Sequence, residues 1–168
     1  TGKHIRASLF EFYLSQNEEG KAKSILESLI SRRPDEIQPL MIAGNFLASR
    51  GRVQEAENNT KEILEQLPDH YDANLLMGDI ARAHKDHAQA RTLYEKLTAQ
   101  DPDNPSAWYK LGLLDRAQND TDSALEHFDK ALALNPYFMD VFTHIIRTYP
   151  SQKQYSQAVN RCDAHFEK

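Results

Sequence analysis

Four prolines, Pro34, Pro68, Pro102 and Pro136, stand one fixed interval of 34 residues apart. A period of that length constrains the fold more than any other feature of the chain. It implies one supersecondary unit, repeated and stacked on itself, in place of a single irregular core. Two further series keep the same step. Ala22, Ala56, Ala90, Ala124 and Ala158 form one, and Phe10, Gly44, Gly78, Gly112 and Ile146 form the other.

Each period decomposes into two helices. In Pro105 to Phe138, Asn104 is placed to cap and Pro105 suits the first turn, while Trp108, Leu111, Gly112 and Asp115 recur at helical spacing. This is helix A. The stretch "AQND" breaks it, Asp120 caps a second helix, and Ala124, Leu125, Phe128, Ala131 and Leu132 supply the apolar stripe of helix B. Pro136 then ends helix B, because it cannot donate to the ladder and it disfavours helical geometry at Asn135. Helices of about 13 residues are roughly 20 Å long and marginal in isolation, so stacking must stabilise them.

Glycine inside helix A costs roughly 1 kcal/mol relative to alanine, so smallness must gain something at Gly44, Gly78 and Gly112. The expected gain is a close crossing of helix A on helix B, with Ala56, Ala90 and Ala124 as the small partners. A leucine at position 112 is expected to overpack that joint by about 1–3 kcal/mol.

With the period in hand, composition removes other classes. The chain has 168 residues, 40% hydrophobic and 27% charged, with six Gly and seven Pro. That excludes disorder and collagen and suits one unit of ordinary size. No apolar run approaches the ~18 residues of a membrane span, so no membrane insertion is expected. The net charge of −5 lacks the basic footprint of phosphate-backbone binding, so no nucleic acid is expected as a partner. Cys162 is the single cysteine, which removes internal disulfides and cysteine metal clusters. Compartment is left open.

The stretch "WYKLGLLD" followed by Ala124, Phe128 and Pro136 resembles the tetratricopeptide repeat (TPR) family, with Asp115 where its pattern has tyrosine. The resemblance implies an all-α fold, an α-α superhelix or solenoid of about five helical hairpins with the last incomplete. Residues 1–168 are then one repeat domain, read as a segment of a longer protein, with repeats at about 3–36, 37–70, 71–104, 105–138 and 139–168. The first repeat has Phe10 and the last Ile146 where a small residue is expected, and Pro150 shortens the last helix A.

The face of helix A turned away from helix B carries Ser106, Tyr109, Lys110, Leu113, Arg116 and Ala117, and is expected to be solvated. In the resembled family that face lines a concave groove that receives an extended peptide or a helix of a partner protein. Carried along the period, the protein-binding candidates are Met41, Asn45, Asp72, Leu75, Asp79, Arg82, Tyr109, Lys110, Leu113, Arg116, Thr143, His144 and Arg147. The apolar positions among them and Ile42 and Leu76 beside them compete with a plain role in packing between repeats. The carboxylate clamp of some family members is broken: Asn45 and Lys110 fit, but Met41, Leu76 and Ser106 stand at its other places.

Nothing anchors catalysis or a cofactor: the chain lacks a phosphate loop, a G-x-S-x-G elbow and H-E-x-x-H. "HKDH", His84 to His87, is the nearest approach to a metal site and falls in a polar turn. His144 and Asp140, one turn apart, are placed as a surface pair. "NNT" at Asn58 and "NDT" at Asn119 match a glycosylation sequon too short to imply secretion. The expected function is therefore a protein-interaction scaffold, not an enzyme. The alternative is a structural spacer or a self-assembling segment, as in bacterial envelope scaffolds. Its homo-oligomer would form through an exposed end bearing Ile145, Ile146, Tyr155, Val159 and Phe166.

Overall fold

The structure, a computed structural model, describes residues 9, 10, 12, 13, 16, 18–32, 37–149, 156, 159 and 160. Among them the fold is all-α, and eight helices are defined end to end: α1 (Glu19–Arg32), α2 (Ile37–Ser49), α3 (Val53–Gln66), α4 (Tyr71–Ala83), α5 (His87–Gln100), α6 (Pro105–Ala117), α7 (Thr121–Leu134) and α8 (Met139–Thr148). Pro34, Pro150, Tyr155, Ala158, Cys162 and Phe166 lie outside the described residues. The even-numbered helices are the A helices of the period and the odd-numbered ones the B helices.

Helix boundaries follow the local signals. The Asn104 side chain accepts from the Ser106 amide at 3.0 Å, with Pro105 in the first turn of α6. Asp86 and Asp120 cap α5 and α7 by accepting from the Gln89 and Ser123 amides. Among the described residues, three A-to-B turns each place one residue in the left-handed region: Gly51 at φ 71°, Lys85 at 64° and Asn119 at 63°. These three stand one period apart, so the turn repeats as faithfully as the helices do.

The chain divides into two compact units, Thr1–Leu76 and Met77–Lys168. In the first, α1 packs on α2 and α2 on α3. Phe10, Ala22, Ala43 and Phe46 form a core there, with the two phenylalanine rings edge to face at 5.5 Å. The large residue at position 10 thus fills the core of its unit. In the second unit α5 packs on α6, α6 on α7, and α8 on both α6 and α7. Leu125, Phe128, Leu132, Val141, Phe142 and Ile145 belong to one core cluster of this unit.

The helical glycines answer to close approach, but to a different partner than alanine. A methyl group at position 112 would lie 2.6 Å from Cδ1 and Cε1 of Phe128, and 3.1 Å from the Ala124 carbonyl oxygen. At position 78 it would run into the Tyr94 ring. The aromatic residue one turn beyond Ala90 and beyond Ala124 covers the glycine, and at Gly112 the alanine contributes its backbone. Gly44 is looser: its neighbours are the tip of Leu76 at 2.9 Å and the Thr60 hydroxyl at 3.4 Å.

Candidate functional site

In the second unit the A-helix face is built around Asp79. The Tyr94 hydroxyl donates to its Oδ1 at 2.8 Å and Lys110 Nζ to its Oδ2 at 2.6 Å, with Arg82 Nη2 at 3.6 Å. Burial, and then the Asp79 carboxylate, push the Tyr94 hydroxyl well above the ordinary phenol range, so it stays a donor. Next to Lys110 in the chain, Tyr109 stands in an aromatic cluster. Its ring centroid lies 4.9 Å from Phe138, 5.6 Å from His144 and 6.1 Å from Phe128.

Cations border that cluster. Burial and the neighbouring Arg147 and Arg82 guanidinium groups lower the Arg116 pKa. Burial, Arg116 and Arg147 also lower that of His144, against a smaller opposing pull from Asp140. His144 therefore sits neutral at pH 7 among positive charges. Among the described residues no His144–Asp140 ion pair is formed, and the enclosed His144 Nδ1 has no hydrogen-bond partner there. Asp140 acts on it through space.

The candidate residues fall into clear groups. In the second unit Asp79, Arg82, Tyr109, Lys110, Leu113, Arg116 and His144 are half-buried, and Thr143 and Arg147 are exposed. The face expected to be solvated is therefore half-covered, because Tyr109 and Leu113 pack against the core. In the first unit Asn45 and Asp72 are exposed and Leu75 is half-buried, while Met41 is 7% exposed and offers little side chain to a ligand. Leu76 is buried, so its role is packing. Sequence reasoning missed Tyr94 and Phe138 as members of the face. Tyr94 was legible only as the aromatic one turn after Ala90, a place that says core before it says hydrogen bond.

The opposite face of α6 is structural. Asp115, fully buried, accepts from Arg91 Nη2 at 2.5 Å, and its Oδ2 lies 2.6 Å from His127 Nδ1. Trp108 stacks on His127 and donates Nε1–H to the Pro102 carbonyl at 2.9 Å. In the "HKDH" turn, Asp86 is occupied in capping α5. No helix among the described residues is long and apolar enough to cross a membrane.

Paired helices repeated at 34 residues, with glycine under an aromatic at the Gly78 and Gly112 joints, define an all-α solenoid of helical hairpins. Comparison with known families and structures assigns it further. The tetratricopeptide repeat family model matches residues 41–105 and 75–137, together more than half of the chain, and the chain belongs to that family. Proteins of the family are generally non-catalytic scaffolds. The fold is similar to that of MamA 41-end from Desulfovibrio magneticus RS-1, at 21% identity and TM-score 0.69, covering 98% of this chain and 93% of that one. It is similar also to PilW, a type IV pilus biogenesis factor, at 19% identity and TM-score 0.76, covering 96% and 77%. A third similar structure is YrrB, described as a TPR protein with an unusual peptide-binding site, at 19% identity and TM-score 0.64, covering 83% and 72%. Comparison with curated proteins gives no match.

Proposed function

We propose that the chain is a protein-interaction scaffold without catalytic activity, and that it holds a peptide segment or helix of a partner against the A-helix face. The observation that carries this reading is the half-buried Tyr109 ring beside the Lys110–Asp79 ion pair. An aromatic platform next to fixed charges of both signs suits a segment with apolar anchors and polar groups. Leu113, Arg116, Thr143, His144 and Arg147 extend that surface, and in the first unit Asn45, Asp72 and Leu75 offer the corresponding one. The described peptide-binding site of YrrB supports the same use of the fold.

The test is capture of a partner by the parent protein and by a Tyr109→Ala, Lys110→Glu double variant, after circular dichroism shows both folded. Loss of capture is expected. Undiminished capture rejects the face.

A second reading, self-assembly through the C-terminal end, draws on the exposed Ile146 and Val159, at 43% and 52%. Ile145 does not contribute as expected, since it is 1% exposed and packs in the core. A mass that stays monomeric in sedimentation at rising concentration removes this reading.

A further inference from the structure

The next step rests on the A-helix face being the binding surface, and it gives the ligand a chemistry. Arg82 and Arg116 hold the same place in consecutive A helices, one period apart, and Arg147 lies on α8 one turn after the partly enclosed His144. Among the described residues neither Arg116 nor Arg147 has an acidic partner within ion-pair distance. The acids acting on this cluster are Asp79 and Asp140. Asp79 is already bonded to Lys110 and Tyr94, and Asp140 is exposed. Cations thus outnumber anions here in a chain whose net charge is −5.

Hydrogen bonding is also unfinished at the same place. Arg82 Nε and His144 Nδ1 are both enclosed and have no partner among the described residues. An enclosed N–H without an acceptor is costly, and each such group calls for an explanation. A carboxylate answers the arginine side: it only accepts, it is planar, and it matches the guanidinium fork in two parallel bonds.

We propose that the second unit binds an acidic peptide segment of a partner protein, its carboxylates received by Arg82, Arg116 and Arg147 while a neighbouring apolar side chain rests on Tyr109. Burial and then repulsion from Arg147 and Arg82 lower the Arg116 pKa, and the repulsive part is relieved when such a ligand arrives. A nucleic acid offers anions too, but the negative net charge opposes a long polyanion, and Tyr109 already rests among protein rings. A peptide with spaced acids satisfies both limits.

Fluorescence anisotropy on the whole chain tests this with a labelled dodecapeptide of alternating glutamate and leucine, and with its glutamine-for-glutamate counterpart. The glutamate peptide is expected to bind at least about tenfold tighter, and to weaken as salt rises from about 50 mM to about 300 mM. An Arg116→Gln, Arg147→Gln variant should lose about the same factor. The two-peptide comparison uses the unaltered protein, so it does not depend on the variant folding.

Equal binding of the two peptides, unchanged binding to a folded variant, or no binding of the glutamate peptide up to about 1 mM overturns the inference. If both peptides bind equally and Tyr109→Ala abolishes both, the groove stands and only its acidic preference falls. Tighter binding of a short DNA duplex assigns the cations to phosphate and overturns the peptide. A dimer that the peptide cannot dissociate gives the face to a second copy, with the same consequence.

Discussion

Asp115 and His127 face each other across the α6–α7 joint, with Asp115 Oδ2 2.6 Å from His127 Nδ1 and the carboxylate wholly withdrawn from solvent. Its other oxygen takes Arg91 from α5, and Arg91 Nη2 also donates to Gln118 Oε1 at 2.9 Å. One carboxylate therefore ties three helices, and does so where the family pattern has tyrosine. Burial alone would raise the Asp115 pKa, but the hydrogen bonds from His127 and Arg91 outweigh it and hold the group below the usual carboxylate value.

Replacing that carboxylate removes charge from two bonds at once. Asp115→Asn is expected to destabilise the protein by about 2–3 kcal/mol, with the share from Arg91 reduced because Arg91 is a third exposed. Urea unfolding measures it. The lowered pKa also means that stability present above the unfolded value is lost as pH falls from about 3.8 through the folded value. The variant should lack that part of the acid limb.

The glycine series should not behave uniformly. Gly112→Ala forces the Phe128 ring aside, with an expected cost of about 1–3 kcal/mol against a helix gain of about 1 kcal/mol, so a net loss or near balance results. Gly44→Ala meets most closely a terminal methyl of the Leu76 side chain and should be neutral or stabilising. Melting temperatures of the two variants, compared side by side, check the order. Equal losses would contradict it.

Lys85 carries a side chain in the left-handed region that Gly51 occupies one period earlier. A β-carbon there costs roughly 1–2 kcal/mol, while glycine loses more freedom on folding. Lys85→Gly should therefore gain about 0.5–1 kcal/mol, read as a higher denaturation midpoint with an unchanged slope. A lower midpoint would show that the turn bears no such strain.

His144 titrates against the fold. Its pKa is lowered by burial and by Arg116 and Arg147, with Asp140 opposing and Tyr109 and Phe128 packed as rings beside it. The unfolded chain binds the proton more readily, so stability is full above about 6.5 and falls as pH drops from there through the folded value. His144→Gln should flatten that segment of the stability curve, and the difference between the two curves isolates it from the other histidines.

Much of this was present in the linear chain. The proline, alanine and glycine series set the period, and Asn104, Asp120 and Pro136 marked where helices begin and end, because caps and breakers act over three or four residues. The face of helix A bearing Tyr109 and Lys110 followed from the 3.6-residue repeat alone. Contacts between residues 24 and 31 apart, such as Arg91 with Asp115 and Lys110 with Asp79, did not.

Those pairings depend on which side chains meet once helices stack, and the tertiary structure alone decided them. It put Phe128 and Tyr94 over Gly112 and Gly78 where alanine methyls were expected, turned Ile145 inward, and, among the described residues, left Arg116 and Arg147 without an acid at ion-pair distance. Periodicity fixes the direction in which a side chain leaves its helix. The angle and distance at which the next helix arrives determine what it finds there.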